Sequence, residues 1–155
     1  ILTLAGVVSQ NVNVYGLTVS GSGMVVSTNA NTYTGTTNIV AGATLRLGNG
    51  GVTGSLASGA IVANGTLAFN RSDATTQTAL ISGGGSLEVQ SGSVTLVGNN
   101  TFAGAVTIAS GTLLTVGNGK AAGALGGAQH HAAPQPVITH RRPLGRPQRP
   151  RRRAR

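Results

Sequence analysis

The 155-residue chain carries a formal net charge of +9, yet only 8% of its residues are charged and 3% aromatic, with 25 glycines and no cysteine. Without cysteine there is no disulfide framework and no thiolate metal site. No apolar run approaches the roughly 20 residues of a helical membrane span.

The charge is unevenly placed. Residues 1–127 hold only Arg46, Arg71, Lys120, Asp73 and Glu88, whereas eight arginines lie between 141 and 155. All five prolines and all three histidines also follow Gly127, and 24 of the 25 glycines precede or include it. Composition therefore sets off a Pro/Arg-rich tail at 128–155, expected to be disordered; before it, 1–16 reads as ill-defined strands and 17–127 as the body.

In chain order, ILTLAGVVSQ is too short and lacks the basic leader of a secretion signal, and a start on Ile1 suits a piece of a longer protein. VNVYGLTVS and GMVVS read as short strands. Next, Asn31 to Leu56 (NTYTGTTNIVAGATLRLGNGGVTGSL) recurs 69 residues later as Asn100 to Leu125 (NTFAGAVTIASGTLLTVGNGKAAGAL). Such self-similarity marks a repeat architecture.

Within the long repeat an aliphatic residue is followed by apolar residues six and eight positions on, with glycine between. Four sets fit: Ile39/Leu45/Leu47, Ile61/Leu67/Phe69, Ile81/Leu87/Val89 and Ile108/Leu114/Val116. A weaker set precedes them at Val19 and Val25, with Ser27 in the last apolar place. The shared parity within each set is that of a strand with one apolar face, and the glycines argue against helix.

The steps of 20, 22, 20 and 27 residues between sets suit the coils of a β-solenoid, about five in all. Leu45, Leu67, Leu87 and Leu114 are then expected in one column. Asn70 to Thr78, the most polar stretch of the body, reads as an exposed loop. Ser93 to Val97 supplies a further strand in the longest coil.

No reactive constellation emerges from the body. It has no histidine or cysteine to activate its hydroxyls, and its two carboxylates, Asp73 in the expected loop and Glu88 at outward parity, read as solvated surface. SGGGS lacks the aspartate of a calcium-binding nonapeptide, and Gly119-Lys120 is followed by Ala121 rather than the hydroxyl residue of a phosphate loop. Tyr33 and Phe102 hold matching repeat positions, which favours packing over ligand stacking. The sequons at Asn64, Asn70 and Asn99 arise readily in Asn/Thr-rich sequence, and His130-His131 forms a single pair without defined metal geometry. No catalytic, cofactor-binding or metal-binding residue is assigned.

Two stretches, TYTGTTNIVAGATLRLGNGG and TFAGAVTIASGTLLTVGNG, resemble the autotransporter-associated β-strand repeat in the passenger region of type V secreted bacterial proteins. Tyr33, Gly35, Thr37, Ile39, Gly42, Leu45, Leu47 and Gly48 fill its pattern, as do Phe102, Gly104, Val106, Ile108, Gly111, Leu114, Val116 and Gly117. The resemblance implies an all-β, right-handed parallel β-helix, translocated by a C-terminal barrel and displayed extracellularly or on the bacterial outer-membrane surface. It further implies a non-catalytic stalk without cofactors, adhesive toward a host or neighbouring cell surface or matrix. The chain departs from the pattern at its C-terminus, where arginines stand in place of barrel strands.

Three readings of that tail remain open: a shifted reading frame, an unselected extension, and an arm for polyanions. The last makes Arg141, Arg142, Arg146, Arg149, Arg151, Arg152, Arg153 and Arg155 candidate polyanion-binding residues, able to neutralise phosphates without reading sequence.

Overall fold

In the computed structural model, the described residues are 1–57, 59–117, 124–125, 130–132 and 137–140. They form β1 (Leu2–Leu4), β2 (Leu17–Val19), β3 (Met24–Ser27), β4 (Ala30–Asn31), β5 (Thr37–Ile39), β6 (Thr44–Leu47), β7 (Ser55–Leu56), β8 (Ala60–Ala63) and β9 (Thr66–Gln77). The chain continues through β10 (Leu80–Ser82), β11 (Ser86–Leu96), β12 (Asn99–Asn100), β13 (Val106–Ile108), β14 (Leu113–Val116), β15 (Ala124–Leu125), β16 (His130–Ala132) and β17 (Val137–His140). Among the described residues there is no helix, and the strands pair in parallel.

Parallel pairing of sequence-distant strands builds a β-solenoid. Its first wall runs β1-β3-β6-β9-β11-β13-β16, seven strands and so about six turns. A second wall stacks the later halves of β9 and β11 beneath β14 and β17. The third wall is β2-β5-β8-β10. The expectation of about five coils was one short: Leu2 pairs with Val25 below the recognised sets, and β16 pairs with β13 above them. These three-residue strands are too short to show the spacing of the internal coils.

Inward parity follows the sequence closely. All twelve apolar positions of the four sets are buried and belong to one core cluster. Each fully buried Leu, Ile or Phe contributes about 1.5–3 kcal/mol of transfer free energy, so the stack is held by its interior column. Ser27, the odd residue of the weak set, is also fully buried and accepts a hydrogen bond from Asn31 Nδ2 at 2.6 Å. A polar residue fits this inward place because an amide faces it.

The phase of the column differs from expectation. Val25, Leu45, Leu67, Leu87 and Val106 are successive register partners, 20, 22, 20 and 19 residues apart. Leu114 stacks instead on Val94, in the second wall. The apparent 27-residue step thus measured one turn plus one wall. The later half of β11, which takes up the expected strand at 93–97 as far as Leu96, supplies that wall.

Asn70 to Thr78 is likewise corrected, since residues 70–77 lie in β9 and pair with β11 through Ser91↔Asn70 and Ser93↔Ala74, with register shifts between. Polarity misled because these residues alternate between wall and solvent instead of forming a loop. The irregular segment is 48–54, directly beneath: Gly50 N–H donates to Asn70 O (2.9 Å) and Ser72 N–H to Gly51 O (2.9 Å).

The long repeat keeps its local geometry. In the first copy Ala43 N–H donates to Val40 O across Gly42 (φ 85°), and in the second Thr112 N–H donates to Ala109 O across Gly111 (φ 77°). Glycine at the third place of such a corner supplies the positive φ that other residues resist. Yet β5 and β6 carry the first corner from third wall to first, while β13 and β14 carry the second from first wall to second.

Candidate functional site

With the walls in place, the outward side chains of the first wall form its most chemically varied surface. Strand parity puts Val26, Arg46, Ala68, Glu88 and Thr107 in one register column. Val26 and Ala68 are buried but lie apart from the interior cluster. They flank Arg46, whose long stem is positioned to cover them while its head reaches outward.

Arg46 Nη2 donates to Asn49 Oδ1 at 2.7 Å, and its Nε is buried without a hydrogen-bond partner. Farther up, Gln90 Nε2 donates to Glu88 Oε2 at 2.8 Å, and Asn70 Nδ2 reaches Gln90 Oε1 at 3.4 Å. Ser91 Oγ lies 2.8 Å from Asn70 Oδ1 and 2.7 Å from Arg71 O. The result is a half-buried polar strip across β6, β9 and β11.

A second cluster centres on Arg71, a residue sequence reasoning missed. Its Nε and Nη2 meet Asp73 Oδ1 (2.9 Å) and Oδ2 (2.8 Å), its Nη1 donates to Gly54 O (2.9 Å) and its Nη2 to Val52 O (2.5 Å). The guanidinium fork satisfies a carboxylate and two carbonyls together, as only arginine geometry permits. Hydrogen bonding from Arg71 holds the Asp73 carboxyl below its ordinary value. The cluster ties β9 to the 48–54 segment below. The only sequence signal was an Arg-x-Asp spacing above a glycine-rich turn.

These arrangements bind the chain to itself. Asp73 is engaged by Arg71 and Glu88 by Gln90, and Glu88 is register-matched to Ala68, five residues before Asp73. The two carboxylates share no site, so the geometry joins no acid to a base. Among the described residues no group of three or more His, Cys, Asp or Glu side chains could hold a metal ion, and no helix is long and apolar enough to cross a membrane.

Tyr33 and Phe102 are both buried within the core, in agreement with a packing role. Tyr33 also exchanges a hydrogen bond with Thr37 Oγ1 at 2.7 Å, and burial pushes its phenol up from the usual tyrosine value. The equivalent asparagines join coils. Asn31 Oδ1 accepts from Val8 N–H (2.8 Å) while its Nδ2 donates to Ser55 O (3.0 Å), and Asn100 Oδ1 accepts from Ile81 N–H (2.9 Å). The candidate polyanion-binding arginines, Arg141 to Arg155, lie outside the described residues, as does Lys120.

Residues 17–47 and 90–114 match the passenger-associated-transport-repeat family. Moved 69 residues along the chain, the first segment becomes 86–116 and so contains the second. Over 63 residues the chain is 54% identical to the adhesin BmaC autotransporter of Brucella suis biovar 1 (strain 1330), a match covering 41% of this chain and 2% of that protein. The chain thus spans a small fraction of its relative's length. No solved structure matches. The repeat match, the relative and the parallel solenoid agree: this chain carries autotransporter passenger repeats, a class displayed extracellularly or on the outer-membrane surface.

Proposed function

We propose that this passenger segment is a non-catalytic stalk whose outer walls contribute to adhesion. The observation that carries the reading is the continuous inward column: coil after coil buries the same parity, so the segment adds length while leaving its outward residues free to vary. The polar strip of Arg46, Glu88 and Gln90 is the surface best suited to contact a host or neighbouring cell or its matrix. Similarity to an adhesin supports this role.

The test is display of the segment on cells, fused to a translocating barrel, with attachment to host cells and matrix counted at equal surface density. Replacing Arg46, Glu88 and Gln90 together by alanine is expected to lower attachment without lowering display. Unchanged attachment would reduce the segment to a spacer. The rival polyanion role of Arg141 to Arg155 rests on charge alone; it requires DNA binding that falls steeply with salt and disappears from a chain ending at Gly127.

A further inference from the structure

Two Asn-Gly pairs fall among the described residues, Asn49-Gly50 and Asn64-Gly65. In such a pair the glycine backbone nitrogen can attack the asparagine side-chain carbonyl, because no β-carbon on the following residue obstructs the approach. The attack forms a bond from Gly N to Asn Cγ and breaks the Cγ–Nδ2 bond, releasing ammonia. Water then opens the succinimide at either carbonyl to leave aspartate or isoaspartate.

The two sites are built differently. Asn49 and Gly50 are both exposed, in the irregular 48–54 segment, and a β-carbon at Gly50 would meet nothing within 4 Å. There is therefore room for a five-membered ring. Gly65 is buried between coils, where a β-carbon would lie 2.2 Å from Ala43 O and 2.5 Å from Val40 O. Both glycine N–H groups are hydrogen-bonded, Gly50 to Asn70 O (2.9 Å) and Gly65 to Ile39 O (3.0 Å), so each reaction first requires a local opening. The exposed segment opens with less disruption than a corner packed between two coils.

Asn49 also has the stronger donor on its side-chain oxygen, since Asn64 Oδ1 accepts from the neutral Gly84 N–H at 3.2 Å. Arg46 Nη2 donates, at 2.7 Å, to Asn49 Oδ1, the atom on which negative charge develops as the tetrahedral intermediate forms. A cation already in place there stabilises that charge without reorganising. Once the amide has become a carboxylate, the same guanidinium pairs with it.

We propose that Asn49 is a self-modifying site, at which Arg46 promotes conversion of Asn49-Gly50 to aspartate and isoaspartate in the folded protein. The reaction needs only water and proceeds outside the cell, turning a neutral contact on the polar strip into an ion pair.

The full chain would be aged at neutral and mildly alkaline pH, then digested and mapped by mass spectrometry, with isoaspartate read by methyltransferase labelling. Conversion is expected at Asn49 well ahead of Asn64, and slower by about tenfold in Arg46→Met, a modest share of what a buried oxyanion donor supplies. Circular dichroism of Arg46→Met checks that the fold persists, and Arg46→Lys, which keeps the charge, is expected to restore part of the rate. Conversion at Asn64 as fast as at Asn49, or an unchanged rate in folded Arg46→Met, would overturn the proposal. If Arg46→Met fails to fold, Arg46→Lys carries the test of the guanidinium, and the wild-type comparison between the two sites still tests the choice of Asn49 over Asn64.

Discussion

The two copies of the long repeat, 31–56 and 100–125, have the same spacing of glycines and apolar residues, but they occupy different places in the solenoid. In the lower copy the glycine corner joins β5 on the third wall to β6 on the first; in the upper copy it joins β13 on the first wall to β14 on the second. Between them β9 and β11 continue past their irregular register and add a wall. The repeat therefore encodes an arc of strand, corner and strand, and its angular position is set by what lies between copies. Every wall asks the same of its inward residues, so one arc fits at more than one corner.

Some contacts travel with the arc. A β-carbon on Gly35 would sit 2.3 Å from Tyr15 O and one on Gly104 2.2 Å from Gly85 O, so in both copies glycine lets the entering chain lie against the coil below. Other contacts belong to one place. Arg71 tethers the lower copy's 48–54 segment, which has no wall strand of its own to hold it.

The largest expected effect tests what the copies share. Leu45→Ala and Leu114→Ala each empty a fully buried site and should each cost about 2–5 kcal/mol in denaturant melts. A small loss at Leu114 alone would show that the second wall is not part of the cooperative core. Asn31→Ala comes next: it leaves Val8 N–H and Ser55 O without their side-chain partner, at about 1–3 kcal/mol for each group kept from water. Its hydrogen-exchange signature should be faster exchange at Val8, and protection retained at Val8 would contradict the role assigned to that amide.

Much of this was legible in the sequence, and the missing parts have a common cause. Parity within each set identified the inward residues, because alternation is local. The wall each strand occupies depends on register with residues about 20 positions away, and the six-and-eight spacing is silent about that. Counting from Ile81 to Ile108 therefore joined residues on different walls. The Asn70 stretch was misread because its polar residues face outward or bond to one another at a bulge. The Arg71 clamp depends on where the chain below happens to pass.

Smaller effects separate the copies. Arg71→Met should loosen only the lower one, costing about 1–2 kcal/mol for the lost carbonyl bonds and raising exchange in 48–54. It should also flatten the acid limb of stability. With the Asp73 value lowered in the fold, its stabilisation is present above the ordinary aspartate range and is lost as pH falls through the lowered value. An acid limb as steep in the variant as in the wild type would exclude that pair as its source.

The smallest effect is that of Tyr33→Phe, about 1 kcal/mol, which makes the lower copy resemble the upper one at Phe102. Because burial raises the Tyr33 value, its stabilisation holds below the ordinary tyrosine range and fades as pH rises through the raised value. The variant should lose that alkaline dependence, as seen in melts against pH, and an undiminished dependence would place its origin elsewhere.

The shifted placement of the second copy can be tested with cysteine pairs in a chain that has no cysteine of its own. Glu88 neighbours Thr107, and Thr95 neighbours Thr115. Parallel neighbours about 4.8 Å apart are within disulfide reach, whereas residues on different walls are not. The account predicts that the Glu88→Cys/Thr107→Cys and Thr95→Cys/Thr115→Cys chains cross-link under mild oxidation and that Glu88→Cys/Thr115→Cys does not. Efficient cross-linking of Glu88→Cys/Thr115→Cys, with the other two pairs inert, would contradict it, since that is the pattern of two copies stacked in the same phase.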